Sequence, residues 1–145
     1  MKNYFIGIDF SKKTFDATVL KKDEPCGLGV HQVFNNTESG INNFKKWIIK
    51  TTETNKKESI LICGENTGVY SKLVSDSLSN LGYSIWLESA LQIKRSLGLT
   101  RGKNDKKDSR DIAEYAIRHN DKFKQHIPLS KELEALHVLF SQRRL

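Results

Sequence analysis

The sequence predicts an α/β fold in which helices flank a mixed five-stranded sheet. Three observations support this: a β-rich hairpin near the start, a short apolar run in the middle, and helical spacing of apolar residues beyond it. A strand meander followed by alternating strand and helix is typical of a mixed sheet with helices on its faces. The length of 145 residues fits one compact domain.

The first half of the chain is predicted to form the meander. Apolar and β-branched residues alternate over residues 4–10 and again over 14–20, with a polar turn between them. A Gly- and Pro-containing loop over residues 21–29 leads to a third, shorter strand at 30–35. These strands form one side of the sheet.

A helix and a buried strand follow the meander. Thr37 is a suitable N-terminal cap, and apolar residues then recur at helical spacing. The run Ser59–Cys63 is continuously apolar, as expected for a strand buried on both faces. Glycines interrupt it over residues 64–68, so Glu65 is predicted to follow the strand by two residues.

The second half is predicted to alternate between helix and strand. Thr67 is expected to cap a helix that Gly82 ends, and residues 83–87 form the fifth strand. Residues 89–97 and 105–119 are predicted helices, joined by a basic connection.

The C-terminal residues predict the start of a coiled coil. Apolar residues after position 128 recur at alternating spacings of four and three, which is the spacing of a coiled-coil seam. These residues are Leu129, Leu133, Leu136 and Phe140. We expect a catalytic domain over residues 1–128, the beginning of a coiled-coil helix over 129–145, and a chain cut before a further domain.

The charge and cysteine content restrict the class of partner. The formal net charge of +7 and the pI of about 9.4 favour polyanions such as nucleic acid. Cys26 and Cys63 form no CxxC pattern, so we expect a reducing intracellular setting. No apolar stretch reaches the roughly 20 residues that span a bilayer, and no signal peptide is visible. A cytoplasmic location is therefore expected, with no membrane partner.

Acidic residues in three separate segments are the strongest functional signal. Each lies where a predicted strand ends or a helix begins, and carboxylates brought together repel unless protons or cations neutralise them. The candidate tetrad is Asp9, Glu65, Asp105 and Asp108. Oxygen ligands of this kind suit Mg²⁺ or Mn²⁺, and such ions can serve phosphoryl transfer. Asp16 and Glu88 are lesser candidates without supporting spacing.

Asp105 and Asp108 form the most informative pair. They are three residues apart, which places them on one helix face, and that face continues through Ile112, Tyr115 and Ala116. The acids therefore extend the buried stripe toward the start of the helix. A solvated pair is expected on the opposite side.

Basic residues surround this acidic pair. They are suited to holding phosphates while metal ions occupy the carboxylates, although any one of them is equally consistent with a solvated surface charge. The candidates are Lys94, Arg95, Arg101, Lys103, Lys106, Lys107 and Arg110.

With these residues in place, the chain resembles the N-terminal domain of the DEDD transposases of insertion sequences. The matching segments are residues 7–12 (GIDFSK), 64–70 (GENTGVY), 92–95 (QIKR) and 102–113 (GKNDKKDSRDIA). The last segment is the most specific, and the similarity covers nearly the whole chain. Departures occur at residues 87–90, at Asn104 and at Ser109, none of which removes a carboxylate.

The resemblance implies a RuvC-like, RNase H-type fold and a metal-binding catalytic tetrad at Asp9, Glu65, Asp105 and Asp108. It implies Mg²⁺, replaceable by Mn²⁺, as the cofactor. It implies donor and target DNA as substrates, a structured bridge RNA as guide, and a homo-oligomer formed through the coiled coil. It also implies a bacterial, nucleoid-associated enzyme whose nucleophilic serine lies in a second domain outside this chain, so that this part alone is inactive.

Three alternatives remain open from the sequence. A junction-resolving or RNase H-type nuclease would share the fold and the tetrad. An actin-like ATPase or sugar kinase also opens with a Gly-x-Asp strand, but Ser11-Lys12-Lys13 supplies no glycine for a phosphate loop. A non-catalytic nucleic-acid-binding module would carry the same acids as structural residues.

Overall fold

A computed structural model of the chain describes residues 2–23, 29–97 and 105–128, with only the backbone described for 96, 97 and 105–107. The strands are β1 (Tyr4–Phe10), β2 (Thr14–Lys21), β3 (Val30–Asn35), β4 (Ile60–Glu65) and β5 (Ser84–Glu88). The helices are α1 (Glu38–Thr52), α2 (Val69–Asn80), α3 (Ala90–Leu97) and α4 (Asp105–Arg118). Short 3₁₀ turns occupy Lys57–Ser59 and Asn120–Lys122. The predicted coiled-coil segment and the basic connection before α4 lie outside the described residues.

The five strands form one mixed sheet in the order β3-β2-β1-β4-β5. The meander pairs β1, β2 and β3 antiparallel, whereas β4 and β5 add in parallel to β1. Parallel neighbours such as β4 and β5 need a crossover connection, here α2, whereas antiparallel neighbours such as β1 and β2 can be joined by a short turn. The predicted mixed five-stranded sheet with flanking helices is confirmed.

The alternation of side chains along β1 divides the core into two layers. Ile6 and Ile8 pack on one face with α1 and α2, where aromatic residues dominate the cluster. Phe5 packs on the other face with Ile112 and Tyr115 of α4. Because side chains on a strand alternate between faces, Gly7 and Asp9 share the α4 face with Phe5.

Strand β4 begins one residue later than the sequence predicts and extends two residues further. It ends at Glu65, because Gly64 stays in the ladder between Ile8 of β1 and Leu87 of β5. A Cβ on Gly64 would lie 2.5 Å from the Phe10 ring, so a larger residue there would have to displace that ring. Glu65 is therefore the last strand residue and does not follow the strand by two residues.

The start of α2 also differs from the prediction. Gly68 caps the helix, with a φ of 71° that favours glycine, and its amide donates to Asn66 Oδ1. Thr67 makes no capping contact within the described residues, and its buried hydroxyl has no hydrogen-bond partner there. The local Asn turn replaces the expected threonine cap.

Candidate metal and nucleic-acid site

Two predicted site residues come together at the carboxyl ends of the central strands. Ile8 pairs with Gly64 in the parallel β1–β4 ladder, so the next residues, Asp9 and Glu65, lie on neighbouring strands at the same level. Adjacent strands are about 4.8 Å apart, which places the two carboxylate-bearing residues side by side. Glu65 follows Cys63, which packs with α4, so both acids lie on the α4 face.

The same level of the sheet carries two further acids. Asp16 of β2 pairs with Asp9, and Glu88 of β5 pairs with Glu65. Four adjacent strands thus carry one acidic residue each, and we call this set the carboxylate row: Asp16, Asp9, Glu65 and Glu88. The strand register places Asp16 and Glu88 level with the candidate ligands, a relationship that spacing in the sequence did not predict.

The outer members of the carboxylate row are held by other side chains. Asp16 is buried, and its Oδ1 lies 2.8 Å from His31 Nε2. Glu88 accepts a hydrogen bond from Tyr115 Oη at 3.2 Å and another from the Ser89 amide at 2.9 Å. Within the described part of the chain, the side chain of Glu65 makes no such contact. The inner position is therefore better placed than Glu88 to accept a ligand.

The burial of Tyr115 and Cys63 shows that water is excluded from their part of this face of the sheet. Burial, together with the Glu88 carboxylate, raises the pKa of Tyr115 to about 12. Burial also raises the pKa of the Cys63 thiol far above its usual range, as expected for the buried small hydrophobe predicted from the sequence. Tyr115 therefore remains a hydrogen-bond donor at any physiological pH.

Helix α4 carries the second pair of predicted acids in its sequence. Ile112, Tyr115 and Ala116 are buried, which confirms the stripe predicted for this helix. Asp108 lies half-buried at the edge of that stripe, and Asp105 is the first helical residue, its side chain outside the described atoms. The backbone thus places both acids in the first turns of the helix that covers Asp9.

Close contact between α4 and β1 depends on Gly7. A Cβ on Gly7 would lie 2.0 Å from the Ser109 carbonyl oxygen and 2.4 Å from the Ala113 amide nitrogen. The α4 backbone therefore rests directly on the strand, two residues from Asp9 and one residue from Asp108. A larger residue at position 7 would separate the acids of α4 from those of the sheet.

The donor chemistry of this region fits a hard divalent cation. All four predicted ligands offer carboxylate oxygens, which Mg²⁺ and Mn²⁺ prefer. Among the side chains that the structure describes, no three acidic, histidine or cysteine residues form a ready-made metal cluster. The set predicted from the sequence also needs Asp105, whose side chain is not among them.

The predicted phosphate-binding residues occupy several positions. Lys94 and Arg95 are exposed in the last turn of α3. Arg110 is half-buried, and its Nε donates to Glu114 one turn later at 3.3 Å. Lys106 and Lys107 belong to the first turn of α4 by their backbone alone, and Arg101 and Lys103 lie outside the described residues.

Comparison with known proteins places the chain in a family. The family model for DEDD transposases of the IS110 group, described as "Transposase", matches residues 6–145. The chain belongs to this transposase family. Family membership favours a DNA transposase or nuclease domain over the ATPase and kinase alternative, and such enzymes generally depend on divalent metal ions.

The fold of this transposase domain also has a counterpart of known structure. RuvC from Thermus thermophilus superposes with a TM-score of 0.53 at 10% sequence identity, covering 86% of this chain and 99% of that one. The likeness confirms the RuvC-like, RNase H-type fold. No curated protein matches the sequence. Within the described ranges, no helix of the transposase domain is long and apolar enough to cross a membrane.

Proposed function

We propose that this domain carries the metal-dependent DNA cleavage and strand-transfer centre of an RNA-guided transposase. Asp9, Glu65, Asp105 and Asp108 are the metal ligands and catalytic residues. The proposal rests chiefly on the placement of Asp9 and Glu65 side by side at the ends of the two central parallel strands, under α4. Ligands of open α/β sheets collect at the carboxyl ends of strands.

The reaction assigned to this centre is transfer of a DNA phosphoryl group. A hydroxyl oxygen bonds to phosphorus and loses its proton to solvent, while the bond from phosphorus to the leaving 3′ oxygen breaks and that oxygen takes up a proton from solvent. Mg²⁺, or Mn²⁺ in its place, would supply charge neutralisation at the phosphate and the leaving oxygen. The family resemblance implies that the attacking hydroxyl belongs to a serine of a further domain, so we expect residues 1–145 alone to bind metal and DNA without recombining the DNA.

The carboxylates of this chain have two functions in the proposed centre. They hold the cation in place, and their negative charge prevents phosphate from binding without it, since like charges repel. The exposed cations Lys94 and Arg95 contact phosphates farther along the DNA, and their contribution weakens as salt rises. Arg101, Lys103, Lys106, Lys107 and Arg110 complete the proposed nucleic-acid surface.

Metal binding tests the centre directly. Titration of the 145-residue chain with Mn²⁺, followed by the electron paramagnetic resonance signal of free Mn²⁺, should detect a site that Asp9→Asn removes. The matched control is Asp121→Asn, which neutralises an exposed acid in the 3₁₀ turn after α4. Equal binding by wild type, Asp9→Asn and Asp121→Asn would refute the assigned ligands.

RNA guidance is a separate part of the proposal and needs its own test. Support comes from the family resemblance and from the net charge of +7. A protein that joins this domain to the serine-bearing domain implied by the family resemblance should cleave donor DNA only when a structured RNA complementary to that DNA is added. RNA-independent cleavage that Asp9→Asn abolishes would instead favour the RuvC-type nuclease alternative. Oligomerisation through residues 129–145 is tested by comparing the mass in solution of chains ending at 128 and at 145.

A further inference from the structure

We propose that two hydrogen-bonded pairs, Thr18–Ser109 and Glu88–Tyr115, are positioning residues that fix α4, and with it Asp108, over the carboxylate row. This inference rests on the proposed metal centre and adds to it residues outside the tetrad. Neither pair is assigned to metal or substrate. Each acts through the placement of the helix.

The first pair connects α4 to β2. The hydroxyls of Thr18 and Ser109 share a hydrogen bond of 2.7 Å, and the two residues are 2% and 0% exposed. Thr18 lies opposite Gly7 in the β1–β2 ladder, so the hydrogen bond stands next to the place where the α4 backbone touches β1. Ser109 directly follows Asp108, and Thr18 lies two residues from Asp16 in the carboxylate row.

The second pair connects α4 to β5, on the other side of β1 and β4. Tyr115 Oη donates to Glu88 Oε2, and the Tyr115 ring packs against Trp86 with centroids 5.4 Å apart. Tyr115 follows Asp108 by seven residues, about two helical turns, and so lies on the same side of α4. Its raised pKa keeps it a donor.

Together the two pairs restrict the movements that matter for Asp108. One is made on β2 and the other on β5, so α4 is held on both sides of the strands that carry Asp9 and Glu65. Rolling the helix about its axis, or sliding it along the sheet, would break at least one pair. The two hydrogen-bonded pairs, one on each side of the site, therefore fix the position of the first turns of α4.

The polar character of these pairs argues for positioning. A buried hydrogen bond adds little net stability compared with two apolar groups of the same shape. It does, however, require a narrow range of distance and angle, whereas apolar contact is non-directional. Three hydroxyls and one carboxylate that hydrogen-bond between a helix and a sheet thus specify one arrangement of the helix.

The decisive variant replaces both hydroxyls of the first pair, Thr18→Val with Ser109→Ala. Removing both hydroxyls together leaves neither member of this pair unpaired through loss of the other, so the midpoint of thermal unfolding should fall less than in either single variant. The Mn²⁺ dissociation constant of the 145-residue chain should rise by about tenfold, the lower end for loss of groups that orient metal ligands. Thr18→Ser, which keeps a hydroxyl, should retain most of the affinity.

Two matched controls separate positioning from general loosening. Thr52→Val removes another buried hydroxyl, one that donates at 2.7 Å to Ile48 within α1 on the opposite face of the sheet. Tyr83→Phe matches Tyr115→Phe, since both tyrosines are buried. We expect the Mn²⁺ affinity to fall in Tyr115→Phe and to stay at the wild-type value in both controls.

The outcomes distinguish this inference from the proposed function beneath it. If Asp9→Asn abolishes Mn²⁺ binding while Tyr115→Phe and the Thr18–Ser109 double variant bind as wild type does, the positioning role is refuted and the metal centre stands. If Asp9→Asn binds Mn²⁺ as wild type does, both proposals fail together. Equal losses in Thr52→Val and the double variant would also refute positioning.

Discussion

Substitution of Gly7 by alanine is the sharpest perturbation of how α4 sits on the sheet. The new Cβ would stand 2.0 Å from the Ser109 carbonyl oxygen, whereas ordinary contact begins at 3.4 Å. Helix and strand must therefore separate locally by about 1.4 Å, the difference between these two distances. The neighbouring atoms belong to the backbone, so no side-chain rotation relieves the clash.

The expected cost follows from overpacking a close contact. Inserting one methyl group where nothing can yield costs about 1–3 kcal/mol of folding free energy. At roughly 2–4 °C per kcal/mol for a chain of this size, the unfolding midpoint should fall by about 2–12 °C. Because a 1 Å misplacement can reduce catalysis about a hundredfold, a folded Gly7→Ala transposase should also lose most of its DNA cleavage.

Thermal unfolding followed by circular dichroism, with Mn²⁺ titration on the same sample, measures both effects. A second-site test sharpens the reasoning: Ala113→Gly should not rescue Gly7→Ala, because the clash involves the Ala113 backbone nitrogen and Cα and not its methyl group. Wild-type stability in Gly7→Ala, or its recovery on adding Ala113→Gly, would show that α4 does not rest on β1 as described.

Three further predictions concern titratable groups. Burial alone would raise the pKa of Asp76, but hydrogen bonds from His126 and Lys72 lower it. Its contribution to folding stability is therefore present above about pH 3.9 and lost as pH falls below that. In Asp76→Asn, the free energy of unfolding should depend less on pH in acid. The pKa of Tyr115 is raised to about 12, so its contribution to folding stability is present below about pH 10 and lost as pH rises through 12. Tyr115→Phe should therefore reduce the loss of stability at alkaline pH. Cys63, with its raised pKa and complete burial, should react with a thiol reagent only on unfolding, measured in a Cys26→Ser chain.

Periodicity predicted the elements well where one face of an element is buried by large side chains. The alternation in β1 assigned Asp9 and Ile8 to opposite faces correctly, and the spacing in α4 assigned Ile112 and Tyr115 to the core. These are the segments in which apolar area, the main driving force of burial, is concentrated on one side. Of the candidate tetrad, Asp9 alone could therefore be assigned to a face of the sheet from sequence, since Glu65 was predicted to lie beyond its strand.

Helix α2 shows where the same reasoning fails. Apolar spacing in this helix predicts that Val69 and Leu73 are buried, but they are exposed, while Ser71 and Ser75 are buried beside Val74. Small serines let the helix approach the sheet closely, so the buried face is rotated toward them. A prediction based only on the spacing of apolar residues gives no weight to small residues such as serine. It therefore misses the rotation of the buried face.

The carboxylate row could not be predicted from the sequence, for a different reason. Which residues of neighbouring strands stand opposite one another depends on register, and a shift of one residue would move every side chain to the other face. Only the ladder shows that Asp16 and Glu88 stand at the level of Asp9 and Glu65. Their partners, His31 and Tyr115, come from other elements and carry no local signal.

The carboxylate row also explains why cation binding and the seating of α4 should be coupled. Acids at the same level of neighbouring strands destabilise a sheet through repulsion unless something compensates. His31 and Tyr115 offset this for the outer members of the row. The inner members lie beside α4, which brings Asp105 and Asp108 to this end of the sheet together with the cations Lys106, Lys107 and Arg110. A divalent cation at the inner position would remove the repulsion between the inner members, and the same helix contact would be what makes the cation site complete.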